Sequence, residues 1–267
     1  MDMEGRAKCE AGFPGDSFRF EVSPPKGSDC EVEWSGGGEP AAGRGPRFTT
    51  VFGSGGVYTV TARCGEASRQ FQVTVCPVDD WLSAAKAYYG PSIDFTRVRV
   101  GGSWAVFGPA GTGWTCNTVI RFKRARRAEE LPDEPTLIHE LGHVWEHQTG
   151  QAQVLKGLVE QTGKLLGHDP YDFGGAEGVK RAMRLTDFSK ESQAQILMEY
   201  WMSQHGFDSD SNGVSFSTPG YVEDLRRLVQ AAGIGSLSRR RRTFAGVIDS
   251  GVARVVNALL RMMERSE

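Results

Sequence analysis

The sequence predicts two domains: an all-β sandwich over residues 1–77, then an α+β domain over residues 78–236. The second domain is expected to be mostly helical from the helix around residues 136–150 onwards. Two patterns carry this fold class. Short segments before residue 77 alternate polar and apolar residues between Gly- and Pro-rich turns, which is typical of sandwich strands. After residue 133, apolar residues recur at helical spacing. An amphipathic helix over residues 237–267 is expected to pack on the second domain.

The composition of the 267-residue chain bears on three questions: nucleic-acid binding, membrane insertion and secretion. A formal net charge of −2 gives no sign of bulk nucleic-acid binding, and we expect none. No apolar run approaches the ~18 residues that a membrane span needs. The first residues lack the apolar stretch of a secretory signal, so we expect either a cytoplasmic protein or export by a non-classical or secretion-system route. Four consecutive arginines, 239–242, suit a solvated helix start or linker.

The N-terminal strands resemble a known domain family. The runs WSGGGEP, FTTVFGSGGVYTVTARCG and FQVTV are similar to those of PKD and related immunoglobulin-like domains. They place Trp34, Tyr58, Val60 and Val73 at the positions typical of that family. Trp34 is expected to be a core residue under the sheet. The resemblance says little about ligands, and a protein partner bound through the sandwich stays open.

The cysteines leave the redox state open. Cys9, Cys30, Cys64 and Cys76 fall in the first 76 residues, where they could form two disulfides in any of three connectivities or remain reduced thiols. The resemblance to immunoglobulin-like domains implies that the sulfurs of Cys30 and Cys64 are neighbours, because the strands that carry them pair in such a sandwich.

The segment TLIHELGHVWEHQTG, residues 136–150, carries the motif around which the second domain is expected to be organised. His139 and His143 are four residues apart, so one helix face presents both imidazoles to a single metal ion. Glu140 lies beside them, where it can accept a proton from a metal-activated water. Pro135 and Gly150 suit the two ends of this helix.

A catalytic zinc site needs a third protein ligand and an open position for water. A second helix, capped by Ser189, offers Glu191 in its first turn and Glu199 as a rival two turns later. The order H-E-x-x-H and then a Glu on a later helix resembles the gluzincin branch of the zincin-like zinc metallopeptidases. The resemblance implies one Zn²⁺ per chain held by His139, His143 and Glu191, with Glu140 as general base. That family commonly has an Asp four residues after the ligand Glu, where it orients a metal ligand. Gln195 stands at that place and is expected to orient a ligand by a hydrogen bond.

A further resemblance covers residues 136–201. TLIHELGHVWEHQTG, PYDFGG and FSKESQAQILMEYW are similar to segments of largely uncharacterised bacterial H-E-x-x-H proteins found near secretion or polymorphic-toxin genes. This implies a bacterial source. It leaves open a peptidase acting on a peptide or protein substrate, an exported effector protease, and a binding protein that uses its sandwich and keeps the second domain as a scaffold.

Three further predictions concern the surroundings of the motif. Tyr171 and His168 are candidate stabilisers of the oxyanion formed during peptide hydrolysis. The strand in NTVIRFK, residues 117–123, is expected to be an edge strand that pairs with substrate, the alternative being an interior strand. Asp208, Asp210 and Asn212 match half of a calcium loop, but Pro219 stands where the closing Glu is needed, so an ordinary turn is the preferred interpretation.

Overall fold

The structure is a computed structural model and describes residues 3–106, 108–150 and 171–234. Within these ranges the chain forms eleven strands and five α-helices. The strands are β1 (Glu4–Ala7), β2 (Ala11–Gly12), β3 (Ser17–Ser23), β4 (Glu33–Ser35), β5 (Ala42–Arg44), β6 (Arg47–Val51), β7 (Gly56–Cys64), β8 (Ala67–Val75), β9 (Arg99–Ser103), β10 (Gly113–Cys116) and β11 (Val119–Lys123). The helices are α1 (Val78–Tyr89), α2 (Glu134–Gln148), α3 (Gly175–Arg181), α4 (Lys190–Gln204) and α5 (Tyr221–Ala231).

The first of two compact units contains Met1–Trp81, Gly101–Thr112 and Phe122–Pro132. Two sheets build most of it, one with the strand order β1-β3-β6 and one with the order β2-β8-β7-β4-β5. All neighbours within these sheets run antiparallel except β2 and β8, which run parallel.

The alternating pattern of the strands places one face of each sheet in a common hydrophobic core. Trp34 on β4 is 2% exposed, and its indole stacks on Phe48 with ring centroids 5.5 Å apart. The indole Nε1 donates a hydrogen bond to the carbonyl of Gly45 at 2.7 Å, so the polar atom of this buried side chain is satisfied.

One disulfide joins strand β7 to the segment before β4. Cys30 and Cys64 are bonded, with Cα atoms 5.6 Å apart, which lies in the usual range for a disulfide. Cys9 and Cys76 are thiols, and burial raises the pKa of Cys76 to about 12. A thiol with so high a pKa is almost entirely protonated at neutral pH and unreactive.

The predicted fold class, an all-β PKD/Ig-like sandwich followed by an α+β zincin-like domain, is wrong. The larger sheet is mixed, because β2 pairs in parallel with β8. The first unit also includes two segments from beyond residue 100, which the sequence assigned to the second domain. The Phe13 ring stacks on Phe122 at 5.9 Å, and Asp16 forms an ion pair with Arg124 at 2.8 Å. Such contacts join residues about a hundred positions apart, and local periodicity gives no sign of them.

Of the described residues, the second unit contains 82–100, 113–121, 133–150 and 171–234. Its centre is the packed pair α2 and α4, with α5 packed against α4 and α3 against α5. Adjacent tyrosines at the end of α1 bind both central helices: the Tyr88 hydroxyl donates to the Leu197 carbonyl at 2.8 Å, and the Tyr89 hydroxyl to the Ile138 carbonyl at 2.7 Å. The expected C-terminal helix over 237–267 and the four arginines lie outside the described residues.

The third sheet has the strand order β10-β11-β9. The prediction that NTVIRFK forms an edge strand is therefore wrong, since β11 is the central strand. Among the described strands, β10 takes an edge position, and it contacts α2. As for membranes, none of the described helices combines the length and the apolar character that spanning one requires.

Phe122 tests the contacts that draw the later segments into the first unit. The ring is 0% exposed and stacks on Phe13, which is 1% exposed. Phe122→Ala removes this ring and leaves a cavity, so we expect unfolding to become easier by about 3–5 kcal/mol. The midpoint of chemical denaturation, followed by tryptophan fluorescence, measures the loss.

Val57→Ala is the matched control, because Val57 is 69% exposed and its truncation should change the midpoint little. Equal midpoints for Phe122→Ala and Val57→Ala would show that the segment after residue 121 is not part of the cooperative core.

Candidate metal centre

Helix α2 presents the two histidines. Asp133 begins the helix as its N-cap by accepting a hydrogen bond from the Thr136 backbone amide at 2.9 Å. His139 and His143 then follow one turn apart, with their rings edge to face and centroids 5.0 Å apart. His139 is 8% exposed, so its imidazole lies close to the protein interior.

Helix α4 brings the carboxylate. The Ser189 side chain caps it by accepting a hydrogen bond from the Ser192 backbone amide at 3.0 Å, which places Glu191 in the first turn. Glu191 Oε2 lies 3.3 Å from His139 Nε2 and 3.3 Å from His143 Nε2. One ligand atom from each of these three residues lies within 4.8 Å of the others. Of the described His, Cys, Asp and Glu residues, this is the group of three that could hold a metal ion.

The close approach of α2 and α4 depends on Gly142. A Cβ atom at this position would lie 2.9 Å from Ala194 Cα and 3.0 Å from Ala194 Cβ, closer than real side chains approach. Glycine on one helix and alanine on the other therefore allow the backbones to come together one turn from the ligands.

Hydrogen bonds within the group shift the pKa values of His143 and Glu191. Burial favours the neutral form of His143, but the hydrogen bonds to Glu146 and Glu191 outweigh it and raise the pKa of His143 well above its usual value. Burial likewise opposes the charge of Glu191, and the hydrogen bonds to His139 and His143 reverse this and hold the pKa of Glu191 far below its usual range. A metal cation held at this point would likewise favour the ionised form of Glu191.

Glu140 is held by the edge strand β10, a feature that the sequence did not reveal. The Thr115 hydroxyl donates to the Glu140 carboxylate oxygen Oε2, and it lies 3.3 Å from the Glu140 main-chain carbonyl. A Cβ atom at Gly113 would lie within 2.6 Å of Glu140 Cγ and Cδ. Strand β10 therefore fits closely over the side chain of Glu140, which is 6% exposed.

Glu146 is a second residue that the sequence analysis missed. It lies one turn beyond His143 on α2 and is 0% exposed, and its Oε2 is 3.2 Å from His143 Nδ1. An acidic residue three positions after a motif histidine, and therefore on the same helix face, was the available sequence signal.

Gln195, which we expected to orient a metal ligand, forms its hydrogen bonds elsewhere. Its amide Nε2 donates to the Glu199 carboxylate and to the Ser211 hydroxyl. The Ser211 backbone amide also donates to Glu199, at 3.1 Å from each carboxylate oxygen. Glu199, the rival third ligand, thus belongs to a buried polar cluster that ties α4 to the loop after it, and burial raises its pKa.

Tyr171 lies beside the metal centre, with its ring centroid 5.9 Å from that of His139. The other candidate oxyanion stabiliser, His168, lies outside the described residues. Whether Tyr171 acts on an oxyanion remains a prediction.

The segment that matches half of a calcium loop forms a turn. Asp210 is 4% exposed, and its Oδ1 accepts the backbone amides of Asn212 at 2.9 Å and Val214 at 2.7 Å. Its Oδ2 accepts the Tyr221 hydroxyl at 2.7 Å. Both carboxylate oxygens of Asp210 therefore accept hydrogen bonds from groups of the fold.

The donor set fits zinc. Two imidazoles and a carboxylate are a usual set of three protein ligands for a catalytic Zn²⁺, and a larger, all-oxygen set would be needed for calcium. The Nε2 atoms of both histidines face the same Glu191 oxygen, so all three donors converge on one point. Glu140 lies between the histidines in sequence and supplies no atom to this group.

Part of the chain is similar to a protein of a bacterial secretion system. No model of a known protein family matches the chain. In an alignment of 144 residues that covers 51% of this chain, the sequence is 28% identical to the type VI secretion system spike protein VgrG2b of Pseudomonas aeruginosa. The aligned part is 14% of the length of that protein, so the similarity concerns a small fraction of it.

Strand β10 offers a test of how Glu140 is positioned. Gly113→Ala places a methyl group against Glu140, and Thr115→Val removes the hydroxyl while keeping the shape. If Glu140 acts as a base, we expect each change to lower the turnover of a cleaved peptide by about 10-fold or more. Zinc content should stay at the wild-type level, because neither residue belongs to the metal group. Peptide cleavage rates and metal analysis provide the measurements.

Two matched variants serve as controls. Thr115→Ser keeps the hydroxyl and should retain most of the turnover. Gly53→Ala adds a methyl group where no atom lies within 4 Å and should leave turnover unchanged. Full turnover in Thr115→Val would show that the hydrogen bond to Glu140 has no role in the reaction.

Proposed function

We propose that the chain is a zinc-dependent peptidase that is exported as an effector by a type VI secretion system. The observation that carries the enzymatic part is the convergence of His139, His143 and Glu191 within 4.8 Å, beside a carboxylate that is held apart from them. The partial similarity to a secretion system spike protein supports the export part.

The residues of the site divide into a metal-holding set and a proton-handling group. His139, His143 and Glu191 would hold the ion. A bound Zn²⁺ supplies Lewis acidity, which lets a water molecule act as a nucleophile near neutral pH. Glu140 accepts the proton of the attacking water and returns it to the leaving nitrogen. Thr115 keeps the Glu140 carboxylate in one orientation, because its hydroxyl donates to Oε2.

A peptide substrate suits the surroundings of the site. Among the described strands, β10 lies at an edge of its sheet and contacts α2, so its main chain is able to pair with an extended peptide close to Glu140. Tyr171, beside His139, is the described residue that we propose as hydrogen-bond donor to the oxyanion.

The disulfide supports export. Bonds between cysteines persist in oxidising compartments and are rare in the bacterial cytoplasm. Cys30 and Cys64 are bonded in the first unit. We therefore propose that the protein works outside the cytoplasm of the cell that makes it.

A binding protein that merely retains the metal centre is the competing function. Glu140 distinguishes the two. A purely structural metal site has no use for a carboxylate that is buried beside the ligands yet held away from them by Thr115. The arrangement of Glu140 therefore favours the enzyme.

Zinc content and cleavage should separate in defined variants. Wild type should hold about one zinc per chain. His143→Ala and Glu191→Ala should lose zinc affinity by more than the about 10–100-fold that an outer residue contributes. Glu140→Gln should keep zinc and lose turnover of a peptide library. Metal analysis and mass spectrometry of the digest report the two properties.

Glu199→Ala distinguishes the two candidate ligands and should retain zinc, since Glu199 bonds Ser211 and Gln195. Zinc retained in Glu191→Ala and lost in Glu199→Ala would overturn the ligand assignment. Full cleavage by Glu140→Gln would overturn the enzymatic mechanism.

Export should depend on a type VI secretion system. In a bacterium that encodes the chain, inactivating that system should keep the protein in the cells, as measured by immunoblot of cells and medium. In co-culture, target cells should lose viability with wild type and survive with Glu140→Gln at equal secretion. Equal secretion from strains with and without the system would contradict the export proposal and leave the enzymatic one standing.

A further inference from the structure

Glu146 is the most completely buried carboxylate next to the metal centre. It is 0% exposed, whereas the ligand Glu191 keeps 22% of its side chain exposed. One of its oxygens, Oε2, lies 3.2 Å from His143 Nδ1. The other, Oε1, is buried without a hydrogen-bond partner among the described residues.

Such a carboxylate is costly to the fold. Moving an ionised group out of water is unfavourable, and the attraction of a nearby positive group at best offsets that cost. An oxygen without a hydrogen-bond partner adds to it. A glutamine or an apolar residue at position 146 would fill the same space on α2 without a buried charge. The fold itself therefore gives no reason for a carboxylate here, and the reason must lie in what the carboxylate contacts.

Its contact is the far side of a metal ligand. The two ring nitrogens of His143 point to different carboxylates: Nε2 lies 3.3 Å from Glu191 Oε2, and Nδ1 lies 3.2 Å from Glu146 Oε2. An imidazole that donates its Nδ1 proton to a carboxylate keeps the lone pair of Nε2 available for a metal. The carboxylate also makes Nε2 more basic, and so a stronger ligand for the metal.

We propose that Glu146 is the positioning residue of the metal centre: it fixes His143 in the tautomer protonated at Nδ1 and strengthens its bond to zinc through Nε2. This rests on the proposed zinc function and adds to it a residue three positions beyond the motif. The role that the sequence assigned to Gln195 thus falls to a residue on the motif helix itself, because the Gln195 side chain bonds Glu199 and Ser211.

Charge gives Glu146 a second effect on the same ion. The carboxylates of Glu191 and Glu146 both contact His143, where they would offset the positive charge of a bound Zn²⁺. Replacing Glu146 by glutamine removes the carboxylate but keeps the shape, and should therefore weaken zinc binding. Replacing it by alanine removes both and should weaken zinc binding further.

The experiment measures zinc affinity in Glu146→Gln and Glu146→Ala by competition with a chromophoric chelator. We expect dissociation constants raised by about 10-fold and about 100-fold, with one zinc per chain still bound at saturation. The Co²⁺-loaded proteins should differ from wild type in their visible absorption spectra, which report the ligand field and not activity. Glu199→Gln is the matched control: Glu199 is also 0% exposed, on α4, and its variant should bind zinc as wild type does.

A measurement on the wild type keeps the proposal testable if the variants fail to fold. Long-range nitrogen–proton correlation spectra of the zinc-loaded protein should show His143 protonated at Nδ1. Zinc bound through Nδ1, or affinity unchanged in a folded Glu146→Gln, would overturn the role of Glu146. Absence of zinc binding by the wild type would instead overturn the proposed function.

Discussion

The contact of α2 with α4 at Gly142 and Ala194 is the constraint on which the metal centre depends. Ligands on two separate helices meet only if the helix backbones approach closely, and a Cβ atom at position 142 would come within 3.0 Å of Ala194. The glycine of the H-E-x-x-H segment is thus as necessary to the geometry as the histidines. Without it Glu191 would be displaced from both Nε2 atoms, since α4 carries that carboxylate on a fixed helix.

Local sequence rules found the parts of the site that lie on single helices. The four-residue spacing put His139 and His143 on one face, and the Ser189 cap put Glu191 in the first turn of its helix, where the structure has it. Thr115 had no such signal, because its proximity to Glu140 arises from the packing of β10 on α2 and not from a repeat in the sequence. Strand order is also non-local, which is why the central position of β11 escaped prediction.

The same difference explains the error in fold class. Alternation identified most of the strands before residue 77, but it does not determine which segments complete the core around them. Phe122 and Arg124 lie in a strand and connector that pattern alone assigns to the following domain, yet they contact Phe13 and Asp16. An aromatic stack and an ion pair between residues so far apart in sequence depend on the topology of the folded chain. Topology is the part of the structure that is hardest to predict from a single sequence.

The adjacent hydroxyls of Tyr88 and Tyr89 have a consequence for selectivity among metals. One holds the main chain of α4 and the other that of α2, so a single short helix fixes the spacing of the two helices that carry the ligands. These two hydrogen bonds oppose a change in the spacing of the helices, and so would oppose widening of the donor set for an ion of larger radius. The scaffold would therefore discriminate against calcium by size, in addition to the preference of imidazole nitrogen for zinc.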